Sequence, residues 1–112
     1  MGRSLYSLAK SSPFKKDSQI LMKLGRKYGC YLEKLSCKSR MALRAVLTRY
    51  IYEKSFIISY LIVDAIADTL PVIDFGDKAA AISQEMQGLS DFSIESLVQI
   101  LTLQQIKDFD AQ

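Results

Sequence analysis

From Ile20 to Leu35 the apolar residues recur every three or four positions. Ile20, Leu21, Leu24, Tyr28, Tyr31, Leu32 and Leu35 make one stripe, the period of an amphipathic helix, and Asp17 or Ser18 stands where its N-terminal cap belongs. Gly25 and Gly29 interrupt the run, and each costs about 1 kcal/mol relative to alanine inside a helix. Either a second helix approaches closely there or the helix breaks. A longer helix is expected from a Ser39 cap to about Thr69, ended by Pro71. Leu43, Leu47, Tyr50, Ile51, Ile57, Ile58 and Leu61 form its core face, while Phe56 to Ile66 is apolar almost all round. A helix of that kind lies at the centre of a bundle or in an oligomer interface.

Asp77 opens a third, short helix with Ala79, Ile82 and Met86 on one face and Gly88 as its stop. The turn Leu89-Ser90-Asp91-Phe92-Ser93 then caps a fourth helix, about 93–107. Its apolar residues Ile94, Leu97, Val98, Ile100, Leu101, Leu103 and Ile106 cover too wide a face for one neighbour, so a second contact surface is expected there. Residues 1–16 are polar and basic, broken by Ser11-Ser12-Pro13, and are expected to be a flexible arm. Residues 17–112 would then form a single helical domain. Val72-Ile73 is too short for a strand. The expected fold class is all-α, a small bundle of about four helices with one long central helix, and oligomeric.

Composition narrows the function. The chain has 112 residues, 49% of them apolar and 24% charged, which suits one folded domain and argues against disorder. It contains no histidine, and so lacks the commonest general base and the commonest zinc ligand. Cys30 and Cys37 do not form a C-x-x-C pair, and on a continuous helix they would sit roughly 10 Å apart along the axis, too far for a disulfide. Asp64 and Asp68, one helical turn apart, could hold a cation only if Asp74 or Asp77 folded back to join them; a polar stripe on a buried helix is the simpler account. Cys30, Cys37 and the serines have no histidine to activate them, and no motif supports a lysine in that role. No enzyme activity, cofactor or small-molecule substrate is expected.

Charge is the feature that points to a partner. The net charge is only +3, but residues 1–54 carry thirteen basic and three acidic side chains, and residues 55–112 carry two basic and nine acidic ones. Such asymmetry suggests an anionic partner for the basic half, self-association of opposite halves, or two solvated faces. Lys23, Arg26, Lys27, Lys34, Lys38, Arg40, Arg44 and Arg49 are the candidate phosphate contacts, with Tyr28, Tyr31 and Tyr50 among them. The third and fourth helices have the spacing of a helix-turn-helix, but Glu95, Gln99, Gln104 and Gln105 with the single Lys107 offer few donors to DNA, so packing explains the pair better. The N-terminus has no apolar h-region, and Gly2 with Ser7 misses the myristoylation pattern. The nine uncharged residues between Lys54 and Asp64 are too few to cross a bilayer. A cytoplasmic protein without a membrane partner is expected.

The stretch from Ile58-Ser59-Tyr60-Leu61-Ile62 to about Gln105 combines a Ser-Tyr-Leu run, the Phe75-Gly76 step and a Leu89-Ser90 turn leading to Ile94, Leu97 and Leu101. It resembles the FlhD-type subunit of flagellar and conjugative-element master transcriptional regulators. That family has a Leu-Ser-Tyr-Leu-Leu-type helix, a hydrophobic-Gly step, a short helix, and a Leu-Thr turn into a final apolar helix. The resemblance covers a little under half the chain. The connection from Tyr60 to Gly76 is about one helical turn shorter than the family pattern, and both cysteines lie outside the matched part. It implies a helical, DNA-associated activator subunit that works with a second, zinc-bearing subunit. Charge and resemblance together lead to one expectation: a small transcriptional regulator that contacts duplex DNA phosphates through its basic half. Its apolar helices would join a homo-oligomer or a second regulatory subunit. The alternative is a protein-interaction module, an adaptor, inhibitor or immunity-type protein, gripping an acidic protein surface.

Overall fold

The computed structural model describes residues 4–69 and 77–110. Among them are six helices and no strand: α1 (Leu5–Ser11), α2 (Lys15–Tyr28), α3 (Cys37–Lys54), α4 (Ile62–Thr69), α5 (Asp77–Glu85) and α6 (Asp91–Asp110). The all-α expectation holds, with more and shorter helices than the periodicity suggested. Pro71, Val72-Ile73, Asp74 and Phe75-Gly76 lie outside the described residues. The core is one cluster of leucine, isoleucine, valine, alanine, methionine and tyrosine drawn from every helix. In it α3 packs against α4, α5 and α6, and α1 packs on α2.

The N-terminal segment departs from the expected flexible arm. Ser4 caps α1 by accepting from the Ser7 N–H, Leu5 and Leu8 are fully buried, and the Leu5 N–H donates to the Cys30 carbonyl at 2.7 Å. Three residues spaced for one helical face, Leu5, Leu8 and Ala9, were enough to dock it. Gly25 and Gly29 turn out to serve the two purposes left open by the sequence. The Tyr6 ring of α1 lies over Gly25, where an added Cβ would come within 2.9 Å of it. Gly29 ends α2 at φ +95°, a backbone region that disfavours any side chain.

The stripe predicted to run on to Leu35 therefore leaves the helix at Tyr28. Leu32 and Leu35 still reach the core, but from a turn in which Leu32 adopts a left-handed backbone at φ 59°. Burial of its side chain offsets the roughly 1–2 kcal/mol of that conformation. α3 then starts at Cys37 rather than after Ser39, because the Ser36 hydroxyl accepts from the Ser39 N–H.

The expected long helix to Thr69 is two helices. Running unbroken from Ser39 it would be about 46 Å long, longer than the largest dimension of the fold, 37 Å. The Ser55 hydroxyl donates back to the Tyr52 carbonyl at 2.6 Å, competing with helix continuation. The chain turns through residues 55–61, and Asp64 reaches back to accept from the Leu61 N–H, capping α4. Ser59-Tyr60-Leu61, assigned to a helix by the FlhD-type resemblance, falls in this turn.

Two sets of polar contacts hold α6. Asp17, expected to cap its own helix, lies in the first turn of α2 with only 2% exposure. It accepts from the Ser90 N–H at 3.0 Å, the Ser93 hydroxyl at 2.7 Å and the Ser90 hydroxyl. The Ser90 hydroxyl in turn accepts from the Ser93 N–H, so Asp17 is locked to the start of α6. Ion pairs then join α3 and α6 at opposite ends, Arg40 with Asp108 and Lys54 with Asp91, and make the two helices antiparallel.

Replacing Asp17 by Ala would leave two hydroxyls and one backbone N–H without their acceptor. The expected loss is about 3 kcal/mol, read from urea unfolding. A loss no larger than that of the exposed Asp110→Ala would contradict this role for Asp17.

Candidate functional site

The eight basic residues are not one surface. Arg40 is interior, 7% exposed, its guanidinium donating to the Leu35 carbonyl and to Asp108. That is a correction: a guanidinium committed to a carbonyl and a carboxylate is not presented to phosphates. Lys27 on α2 pairs with Glu85 of α5 at 2.9 Å, and the Tyr28 hydroxyl donates to the same oxygen at 3.0 Å. By accepting from Lys27, Glu85 holds that ammonium above its ordinary range, while burial, then Glu85, pushes the Tyr28 phenol up. Lys23 and Arg26 are exposed on α2, and Lys34 is exposed in the turn before α3.

Lys38, Arg44 and Arg49 do come together. With Met41, Ala42, Ala45, Thr48 and Tyr52 of α3, and Asp68 and Thr69 of α4, they line a groove of about 760 Å³. Arg49 also pairs with Glu53 one turn along at 3.3 Å. Asp68 accepts from the Tyr60 hydroxyl. Burial, reinforced by Asp68, pushes that phenol up to about 12. The groove is therefore basic on its α3 side and carries a carboxylate on its α4 side. Asp64 and Asp68 are engaged by the Leu61 N–H and the Tyr60 hydroxyl, and among the described residues no three His, Cys, Asp or Glu side chains are grouped to hold a metal ion. Both cysteines are free thiols, and no helix joins them: Cys30 sits in the turn after α2, while Cys37 opens α3 and donates to Gln105 at 3.6 Å.

Part of the charge asymmetry is met within the fold, by three ion pairs of which only the Arg40 one is interior. Of the four ion pairs described, Lys27–Glu85, Arg40–Asp108 and Lys54–Asp91 each join the basic half to the acidic half. Opposite halves do associate, within one chain.

A group of apolar residues is also left exposed. In the turn after α3, Phe56 is 72% and Ile58 93% exposed, with Tyr52, Ile57, Leu61 and Val63 also exposed around them. The Tyr52 and Phe56 rings meet edge to face at 5.3 Å. Ile58 borders a second groove of about 530 Å³, between the end of α3 and the start of α6, lined also by Ile51, Lys54, Ser55, Asp91, Phe92 and Glu95. The outer side of α6 exposes Leu103, Ile106 and Phe109, where a second contact surface was expected. The ridge around Ile58 was hidden in the sequence by its reading as helix core. Its signal was the pair of serines, Ser55 and Ser59, bracketing an aromatic and two isoleucines with no polar face. No helix among the described residues is long and apolar enough to cross a membrane.

The Arg40 hydrogen bond holds the Asp108 carboxyl below its ordinary 3.8. A depressed carboxyl adds stability above its unfolded value and loses it as pH falls through the folded one. Asp108→Asn should be less stable at neutral pH, and its melting temperature should fall less than the wild type's between about pH 5 and about pH 2. Parallel acid limbs in thermal melts would contradict this. Comparison with protein-family models, with characterised proteins and with solved structures found no match to this chain.

Proposed function

We propose that the chain is a non-catalytic helical assembly subunit that joins a protein partner through the apolar ridge at residues 52–63. The carrying observation is Ile58, 93% exposed at the tip of a turn in which Phe56, Ile57 and Leu61 are also exposed while Tyr60 enters the core. The largest apolar patches on monomeric proteins cover roughly 300–600 Å² and are often functional. A run of this kind, close to Phe92 across a groove, fits an interface core with charged residues at its rim. The sequence offered two homes for Phe56–Ile66, a bundle centre or an oligomer interface. Exposure of Phe56, Ile57 and Ile58 supports the second.

A second function is favoured by one observation, the gathering of Lys38, Arg44 and Arg49 on one groove. In it the subunit belongs to a transcriptional regulator and its α3 face lies along duplex DNA phosphates, while the ridge holds the partner subunit. The mechanism would be electrostatic docking, with sequence choice left to the partner or to DNA shape.

A photo-crosslinking amino acid at position 58, introduced in the source cells, should give a covalent adduct with a protein, and the same group at Lys10 should not. Absence of a protein adduct at position 58 would overturn the assembly reading. For the second reading, anisotropy titrations of labelled duplex DNA at several salt concentrations should show a steep slope, flattened by about one in Arg44→Ala or Arg49→Ala. Slopes unchanged in both variants would exclude α3 as the phosphate contact.

A further inference from the structure

The ridge carries information about what covers it. Tyr52, Phe56, Ile57, Ile58, Leu61 and Phe92 together present on the order of 600 Å² of apolar surface, taking ~150–250 Å² for a whole aromatic side chain. One side of a standard protein interface is roughly 800 Å², a little over half of it apolar. The exposed surface is thus about one complete half-interface.

Its shape is two-sided. Phe56 projects as a knob, 72% exposed, supported from behind by the edge of the Tyr52 ring. Beside it lies the groove of about 530 Å³ walled by Ile51, Ile58 and Phe92. The groove rim carries Lys54 on one side, with Asp91 and Glu95 on the other, and Lys54 and Asp91 pair at 2.8 Å. Through its hydrogen bond Asp91 holds the Lys54 ammonium above its ordinary range. With Asp91 answered by Lys54, the rim keeps the Glu95 carboxylate and no spare cation, so neither an anionic membrane nor nucleic acid suits it. A knob next to a hole, framed by both signs of charge, suits a two-fold contact in which each copy gives what it receives.

We infer that the ridge binds a second copy of this chain, the Phe56 of each copy entering the groove between α3 and α6 of the other. This deepens the assembly reading above and rests on it. Ile58 lies near the two-fold axis, where it meets its own counterpart, and the rim charges stay at the wet edge of the interface.

Sedimentation equilibrium of the purified chain tests this, with circular dichroism and urea midpoints confirming that each variant keeps its fold. The wild type should be a dimer. Phe56→Ser and Phe92→Gln should each raise the dissociation constant by about a hundredfold or more, because a two-fold contact is lost twice. Leu103→Ser, on the outer side of α6, should leave it unchanged. Mixing is the specific test: Phe56→Ser keeps its groove and Phe92→Gln keeps its knob, so the two variants together should dimerise more tightly than either alone.

A dimer that survives Phe56→Ser but is lost in Leu103→Ser would overturn the inference in favour of α6. So would a mixture no tighter than its components. A monomer at all concentrations, with the probe at position 58 still joined to a different protein, would overturn the second copy and leave the assembly reading standing. A monomer with no protein adduct would overturn both.

Discussion

A single buried carboxylate sets the arrangement of this fold. Asp17 is withdrawn from water in the first turn of α2, where isolated burial of a charge would be prohibitive. It is tolerable because Ser90 and Ser93 offer it two hydroxyls and a backbone N–H at the start of α6. The positive ends of two helix dipoles also converge on it, from α2 and α6. Once α6 is fixed there, its length carries Asp108 to Arg40 and places Asp91 beside Lys54. The antiparallel α3–α6 pair, with α4 and α5 packed on α3, follows from that anchoring.

The same pairings change the meaning of the chain's charge. A basic half and an acidic half suggest a polarised surface awaiting a partner, yet three ion pairs join the halves across the interior and its margins. These pairs add register more than stability, since exposed pairs contribute little and buried ones carry a desolvation cost. Those pairs engage three of the thirteen basic side chains of residues 1–54, so the outward-facing apolar turn stands beside a basic surface that is still exposed.

Helix type and core membership were legible where period and punctuation agreed. Ile82, Met86, Ile94, Leu97 and Leu101 sit in the core as their spacing requires, and Gly88 terminates its turn at φ +100°. Boundaries were illegible where the core stripe outran the helix. Leu32 and Leu35 kept a helical spacing although Gly29 had already ended the helix, because a turn can deliver side chains to the same core. The ridge was misjudged for a related reason. Periodicity reports which residues share a face only if the element is continuous, and α3 ends at Lys54 while the hydrophobic spacing runs on. Arg40 was misplaced because composition cannot separate a guanidinium that faces solvent from one that satisfies a carbonyl.

The span of the Asp17 anchor has a consequence for how the chain is made. Its acceptor atoms wait for donors 73 and 76 residues further on. Loops that long close slowly and late. A ribosome releasing this chain from its N-terminus therefore exposes α2 and α3 with their leucines uncovered and a carboxylate unpartnered until α6 emerges. Helices can form one by one during synthesis, but the buried polar junction closes only once Ser90 and Ser93 are free to fold back. The interval before that closure is set by the distance in sequence between one aspartate and two serines.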